Sequence, residues 1–228
     1  AMYSRSFAPI ADRLPDTQES ADEHKKKLGK YYTEWGHKSV GQLGVTTVWL
    51  EGVSQLAAKA IENHPLFNGQ ESSTRYINYG TQESIIPYEL DIDLRKEVDY
   101  WQKRWTDFYN RALPVVVEKL KKDFPFEEQY KPLLMVEDPG YEKAFTTWQN
   151  TIKARAFDKC RGLLVAGSVT NVGFMGTFDT LNDHFGEMLH HPCSEMRSIA
   201  NEVLTGMKEK YPYGTIDVEK LRERFSYV

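Results

Sequence analysis

Apolar and polar positions along the chain alternate in two distinct rhythms. From Leu94 the apolar residues step by three and four through Val98, Trp101, Trp105, Phe108 and Ala112, which predicts an amphipathic helix with Pro114 as a candidate kink. A second ladder, Tyr141, Phe145, Trp148 and Ile152, follows Pro139-Gly140. Both aromatic stripes are read as core packing rather than as the lining of a flat cofactor, because helical periodicity specifies burial and nothing more. The other rhythm is strand-like. "VTTVWLEGV" from Val45 is β-branched and aromatic, and at Gly52 it gives way to the helical "SQLAAKAIEN", which Pro65 ends. "RYINYG" from Arg75 predicts a short strand, and "CRGLLVAGSVTNVGFMGTFD" from Cys160 a longer one that enters a helix at about Asp179. A helix over Asp16 to Tyr32 opens on a capping box, Asp16 and Glu19, and a last helix, "SEMRSIANEVLTGMKEKY", ends at Pro212. The fold expected is α+β, a small antiparallel sheet with several long helices, as one domain over residues 1–228.

Composition narrows the function. The 228 residues carry a net charge of -4, with Lys and Arg mixed among acids, so nothing resembles a footprint for nucleic acid, while small anions that need only a few placed cations stay open. Cys160 and Cys193 make no CxxC or disulfide framework, and "AMYSRSFAPI" has no apolar signal core, so the expected setting is cytoplasmic. No run approaches a membrane span.

Familiar catalytic signatures are missing. Gly167, Gly173 and Gly176 are spaced wrongly for GxGxxG and lie inside a strand-like run, where they read as bulges or close backbone contacts. His24, His37, His64, His184, His190 and His191 form no HExxH, so no metal is expected, and a helix dipole accounts for His190-His191. There is no GxSxG elbow. The polar crossing "NHPLFNGQESSTRYINYG", Asn63 to Gly80, is different. In an extended segment Glu71, Ser73 and Arg75 share one face, and the amides near Ser73 and Thr74 would meet an anion, with a phosphate as the natural guest. Arg75 offers a planar fork for phosphate and Glu71 an acceptor for a ribose hydroxyl; a plain polar turn is the competing reading.

The segments "GHKSV", "EGVSQLAAKAIENH" and Ser73-Thr74-Arg75-Tyr76, followed by "RGLLVAGSVTNVG" and "EMRSIANEVL", resemble the flavin-dependent thymidylate synthase family. That family's signature is GHxS, then RHR, seven residues and S-x-R-Y, and the resemblance spans about Gly36 to Pro212. It implies FAD as cofactor, methylenetetrahydrofolate and NADPH as cosubstrates, C5-methylation of a uracil nucleotide (dUMP or UMP), and a homotetramer. Carried over, Glu71, Ser73, Thr74 and Arg75 match the nucleotide-binding segment, and Arg161 matches an arginine that holds the nucleotide and polarises the uracil. His37 and Ser39 match GHxS near the flavin, and His64 the middle of RHR. Asn63, Asn68 and Glu71 complete the implied flavin set.

The departures fall mainly in the flavin half. Asn63 and Pro65 replace the two arginines of RHR, Asn68 replaces a serine, Gln42 an acid and Ala60 a glutamine, and Thr177, Phe178 and Asp179 stand at the family's N-x-R. Two expectations follow. One is a divergent flavin-dependent uracil nucleotide methylase; the other is a catalytically degenerate nucleotide-binding or interaction subunit.

Overall fold

A computed structural model describes residues 17–130 and 139–227. The opening segment and Asp16 lie outside them. Helix α1 (Gln18–Thr33) is capped by Thr17, whose side chain accepts from the Ser20 amide. The capping partner within the described chain is therefore Thr17, one residue later than the box expected.

Three strands form one antiparallel sheet in the order β1-β3-β2. Strand β1 (Val45–Ser54) pairs with β3 (Val169–Thr177), with Val45 opposite Thr177 and Leu50 opposite Val172. The register slips between Leu50 and Val53, where Gly52 takes φ 71° and its amide donates to Asn171 Oδ1 at 2.9 Å. A bulge of this kind needs a residue free to enter the left-handed region.

Strand β2 is Gly69–Glu71, not the predicted "RYINYG". The stretch after it turns back on Ser73, whose carbonyl accepts from the Tyr76 and Ile77 amides. The partner's backbone decides this choice. A Cβ on Gly69 would lie 2.0 Å from the Gly173 carbonyl oxygen, so only glycine lets β2 approach β3 so closely. Gly173 is itself under the Trp49 ring, and Gly167 lies against the Ile85 carbonyl, so the strand glycines are close-contact positions.

One face of the sheet is covered by α2 (Gln55–Glu62), α6 (Phe178–Met188) and α7 (Ser194–Lys210) around Leu50, Ile61, Phe174, Phe185 and Leu204. The chain passes directly from β3 into α6, with Thr177 as the cap. An unpredicted helix, α8 (Val218–Arg224), closes this core with Leu221; at seven residues it is too short to show periodicity.

The two aromatic ladders part company. On α5 (Tyr141–Cys160), Trp148 and Ile152 are buried in a second cluster with Leu120, Phe126 of α4 (Phe126–Tyr130) and Ala156, and Trp148 Nε1 donates to the Phe124 carbonyl at 2.9 Å. On α3 (Ile92–Asp123), which runs through Pro114, the ladder is not core: Trp101, Trp105 and Phe108 are 55%, 48% and 44% exposed. The stripe is genuine, but no described element covers it. No described helix is long and apolar enough to cross a membrane.

Candidate functional site

The predicted nucleotide residues fall into two groups, Glu71 on the sheet and Arg75 with Arg161 at the end of α5. Pairing of β2 with β3 sets Glu71 opposite Val172, and the Ser72 amide then donates to the Asn171 carbonyl at 3.0 Å. Thr170, buried one step further along β3, donates its hydroxyl to Glu71 Oε1 at 3.0 Å. The hydroxyl of buried Tyr79 lies 2.8 Å from Thr170 Oγ1 and donates to the Ser72 carbonyl at 2.6 Å. Burial pushes the Glu71 carboxyl above its ordinary range; the Thr170 hydrogen bond opposes this and the nearby Glu62 charge adds to it.

Beyond β2 the extended geometry expected for Glu71, Ser73 and Arg75 is lost. The Ser73 hydroxyl accepts from the Arg75 amide at 3.2 Å, which tightens residues 73–77 into a turn, so the three side chains do not share a strand face. That turn instead carries Arg75 across to the C-terminal end of α5. There Asp158 Oδ1 lies 3.0 Å from Arg75 Nε and 3.4 Å from an Arg161 terminal nitrogen. A single carboxylate oxygen thus gathers two guanidinium groups that are 86 positions apart in the chain. All three side chains are about half exposed, so the cluster is open to solvent and each arginine keeps donors for a guest.

Sequence reasoning did not find Asp158, Thr170 or Tyr79. Asp158 stands three residues before Arg161, a spacing that puts both on one helical face, and this was the one available signal.

The residues matched to a flavin are scattered. His64 packs on the core side of β3, its ring tilted with its centroid 4.6 Å from that of buried His184 and 6.2 Å from that of Phe174, and its Nδ1 accepts from the Leu66 amide. Asn63 is the exposed C-cap of α2, and the Asn68 carbonyl accepts from the Met175 amide at 2.8 Å. His37 and Ser39 belong to the short turn around Lys38–Val40, where Lys38 pairs with Asp183 of α6. That turn leads to Gly44, whose carbonyl receives the Phe178 amide at the opposite end of β3 from Glu71. Six residue steps separate Asn171 from Thr177, or roughly 20 Å of extended chain. Within one chain the turn that carries His37 and Ser39 therefore leads to one end of β3, and Glu71 lies toward the other.

The residues 2–213 match the family model described as thymidylate synthase complementing protein. The chain belongs to this family. Among its curated relatives, the UPF0159 protein of Thermoplasma acidophilum is 23% identical over 233 residues, covering 92% of this chain and 46% of that protein. The UPF0159 protein of Chlamydia muridarum is 27% identical over 207 residues, covering 86% of this chain and 35% of the relative. The chain thus spans about a third to a half of the length of these relatives. A crystal structure of a UMP/dUMP methylase, PolB from Streptomyces cacaoi, bound with 5-Br dUMP, superimposes with TM-score 0.54 at 12% identity, covering 92% of this chain and 86% of that one. At that identity the likeness establishes the shared α+β fold.

Proposed function

We propose that the protein is a flavin-dependent C5-methylase of a uracil nucleotide, dUMP or UMP, with methylenetetrahydrofolate as one-carbon donor and NADPH as reductant. Membership of the thymidylate synthase complementing protein family and the fold shared with a UMP/dUMP methylase support the reaction class. The observation that carries the reading is the convergence of Arg75 and Arg161 on one oxygen of Asp158. Two guanidiniums set around a single oxygen present the donor arrangement that a phosphate monoester requires. On this reading the nucleotide phosphate displaces or shares Asp158, Arg161 also faces the base, and Glu71 meets a sugar hydroxyl. The chain's own work is then positioning and electrostatic stabilisation. Methyl and hydride transfer belong to the folate and the flavin, and no step is assigned through the flavin because one chain does not gather its residues.

A homotetramer follows from the same reading. The uncovered aromatic face of α3 offers a surface for a further copy, and sites shared between copies would bring His37 and Ser39 to the nucleotide end of a neighbour. The alternative, a nucleotide-binding subunit without catalysis, is favoured by Asn63, which stands exposed where the family has an arginine, and by Asp179, whose Oδ1 is buried without a partner.

The test is incubation with FAD, NADPH and methylenetetrahydrofolate at low oxygen, with dUMP and UMP offered separately. A gain of one methylene unit in the nucleotide's mass supports the methylase. Absence of product from a protein that binds nucleotide and no FAD favours the alternative.

A further inference from the structure

Counting protons along the contacts beside Glu71 gives a result that the separate distances do not. Three contacts run in series: Glu71 Oε1 to Thr170 Oγ1 at 3.0 Å, Thr170 Oγ1 to Tyr79 Oη at 2.8 Å, and Tyr79 Oη to the Ser72 carbonyl at 2.6 Å. The far end is a carbonyl, which only accepts. An ionised carboxylate at the near end also only accepts. Between two such ends, two hydroxyls supply two protons for three contacts, so one contact would set lone pair against lone pair. Thr170 and Tyr79 are buried, where an unmade hydrogen bond is costly. A proton on Glu71 removes the conflict. Glu71 then donates to Thr170, Thr170 to Tyr79, and Tyr79 to the Ser72 carbonyl, and every contact is a hydrogen bond.

We propose that Tyr79, acting through Thr170, holds a proton on Glu71, making it a neutral acid in the free protein and the proton store of the nucleotide pocket. Other groups facing Glu71 act in both directions. Burial favours the neutral acid, as does Glu62 at the end of α2; Gln55 and, more weakly, Lys59 favour the charge. Gln55 approaches without closing a hydrogen bond, since its Nε2 is buried with no partner.

The change on ionisation balances. The proton leaves Glu71 for a bound ligand or solvent, the Thr170 hydroxyl turns to donate to Oε1, Tyr79 keeps the Ser72 carbonyl, and the contact between the two hydroxyls is left without a proton. Resting on the nucleotide reading above, this means that a phosphate-bearing ligand docks beside an uncharged carboxyl. Repulsion of its phosphate is thereby reduced and a proton is within reach.

The experiment follows the Glu71 carboxyl in the ligand-free protein by difference infrared spectroscopy against pH, with Glu71→Gln identifying its acid carbonyl band. The band is expected to persist above the ordinary glutamic acid value of 4.5. Tyr79→Phe, which removes two of the three contacts and one of the two hydroxyl protons and so leaves Thr170 free to donate to the carboxylate without conflict, is expected to move the midpoint down. Thr170→Val, which takes away the carboxylate's own donor, is expected not to. A wild-type midpoint at the ordinary value overturns the proposal without any variant. So does an equal fall in both variants, which would report opening to water. Calorimetry with UMP and dUMP is a separate arm. Binding of neither, with Glu71 titrating as expected, sinks the nucleotide reading and leaves the proton chain standing; binding with an ordinary Glu71 does the reverse.

Discussion

Mild acid should destabilise this protein through one imidazole. His184 is buried on α6 among Phe174, Phe185 and His64, with ring centroids at 5.7, 5.3 and 4.6 Å, and its Nε2 has no hydrogen-bond partner. Burial first, and the neighbouring His64 second, lower its pKa from 6.5 to about 4. In the unfolded chain His184 takes up a proton as pH falls through 6.5; in the folded chain it stays neutral until about 4. The unfolded state therefore binds more protons across that window, and stability falls with pH between those limits. The full loss is about 3 kcal/mol, of which about 2 kcal/mol is reached by about pH 5. Urea denaturation followed by tryptophan fluorescence at about pH 8 and about pH 5 reads this as a drop in midpoint of roughly 1 M. Other groups also titrate in this range, so the decisive quantity is the difference from His184→Phe, which keeps an aromatic ring in the pocket and cannot charge. That variant should lose about 2 kcal/mol less than wild type over the same interval. Equal losses in the two proteins would refute the reasoning.

Three further outcomes are expected. Arg75→Ala and Arg161→Ala should each weaken UMP or dUMP binding by about 1.5 to 3 kcal/mol in calorimetry, whereas Asp158→Asn, by freeing both guanidiniums from their shared oxygen, should tighten it by about 1 kcal/mol; weaker binding in the last variant would show that Asp158 anchors the pair instead. Gly69→Ala, which sets a methyl against the Gly173 carbonyl, should cost about 3 kcal/mol in urea denaturation, and a stability near wild type would show that β2 can move away. Trp105→Glu should convert an assembly of copies into smaller species by light scattering, and an unchanged mass would remove the α3 stripe from the contact.

Much of the fold could be read from the chain because its determinants are local. The β-branched run at Val45, the step into a helix at about Asp179 and the ladder from Tyr141 are each set by local sequence, and each forms the element expected, the helix starting one residue early at Phe178. What could not be read depended on a partner distant in sequence. The choice between Gly69–Glu71 and the "RYINYG" stretch as strand is made by the Gly173 backbone, more than a hundred positions away. The ladder from Leu94 is as regular as the one from Tyr141, yet periodicity says only that a face seeks cover and cannot say from which chain. In the candidate site Glu71 and Arg75 stood out because phosphate chemistry needs them and Arg161 through the family resemblance, while Asp158 did not. Thr170 and Tyr79 looked like ordinary strand and turn residues, since their significance lies in a chain of hydroxyl contacts that only folding creates.

The separation of the two signature segments along β3 has a genetic consequence. Because the turn bearing His37 and Ser39 leads to one end of the strand and Glu71 lies toward the other, the shared-site reading proposed above takes the two ends from different copies. Damage to either end would then be a defect that a second copy can repair. Two inactive proteins, one altered at His37 and the other at Arg75, would on mixing and subunit exchange yield some sites with both ends intact. Recovered activity in such a mixture would make the two lesions complementary alleles of one gene.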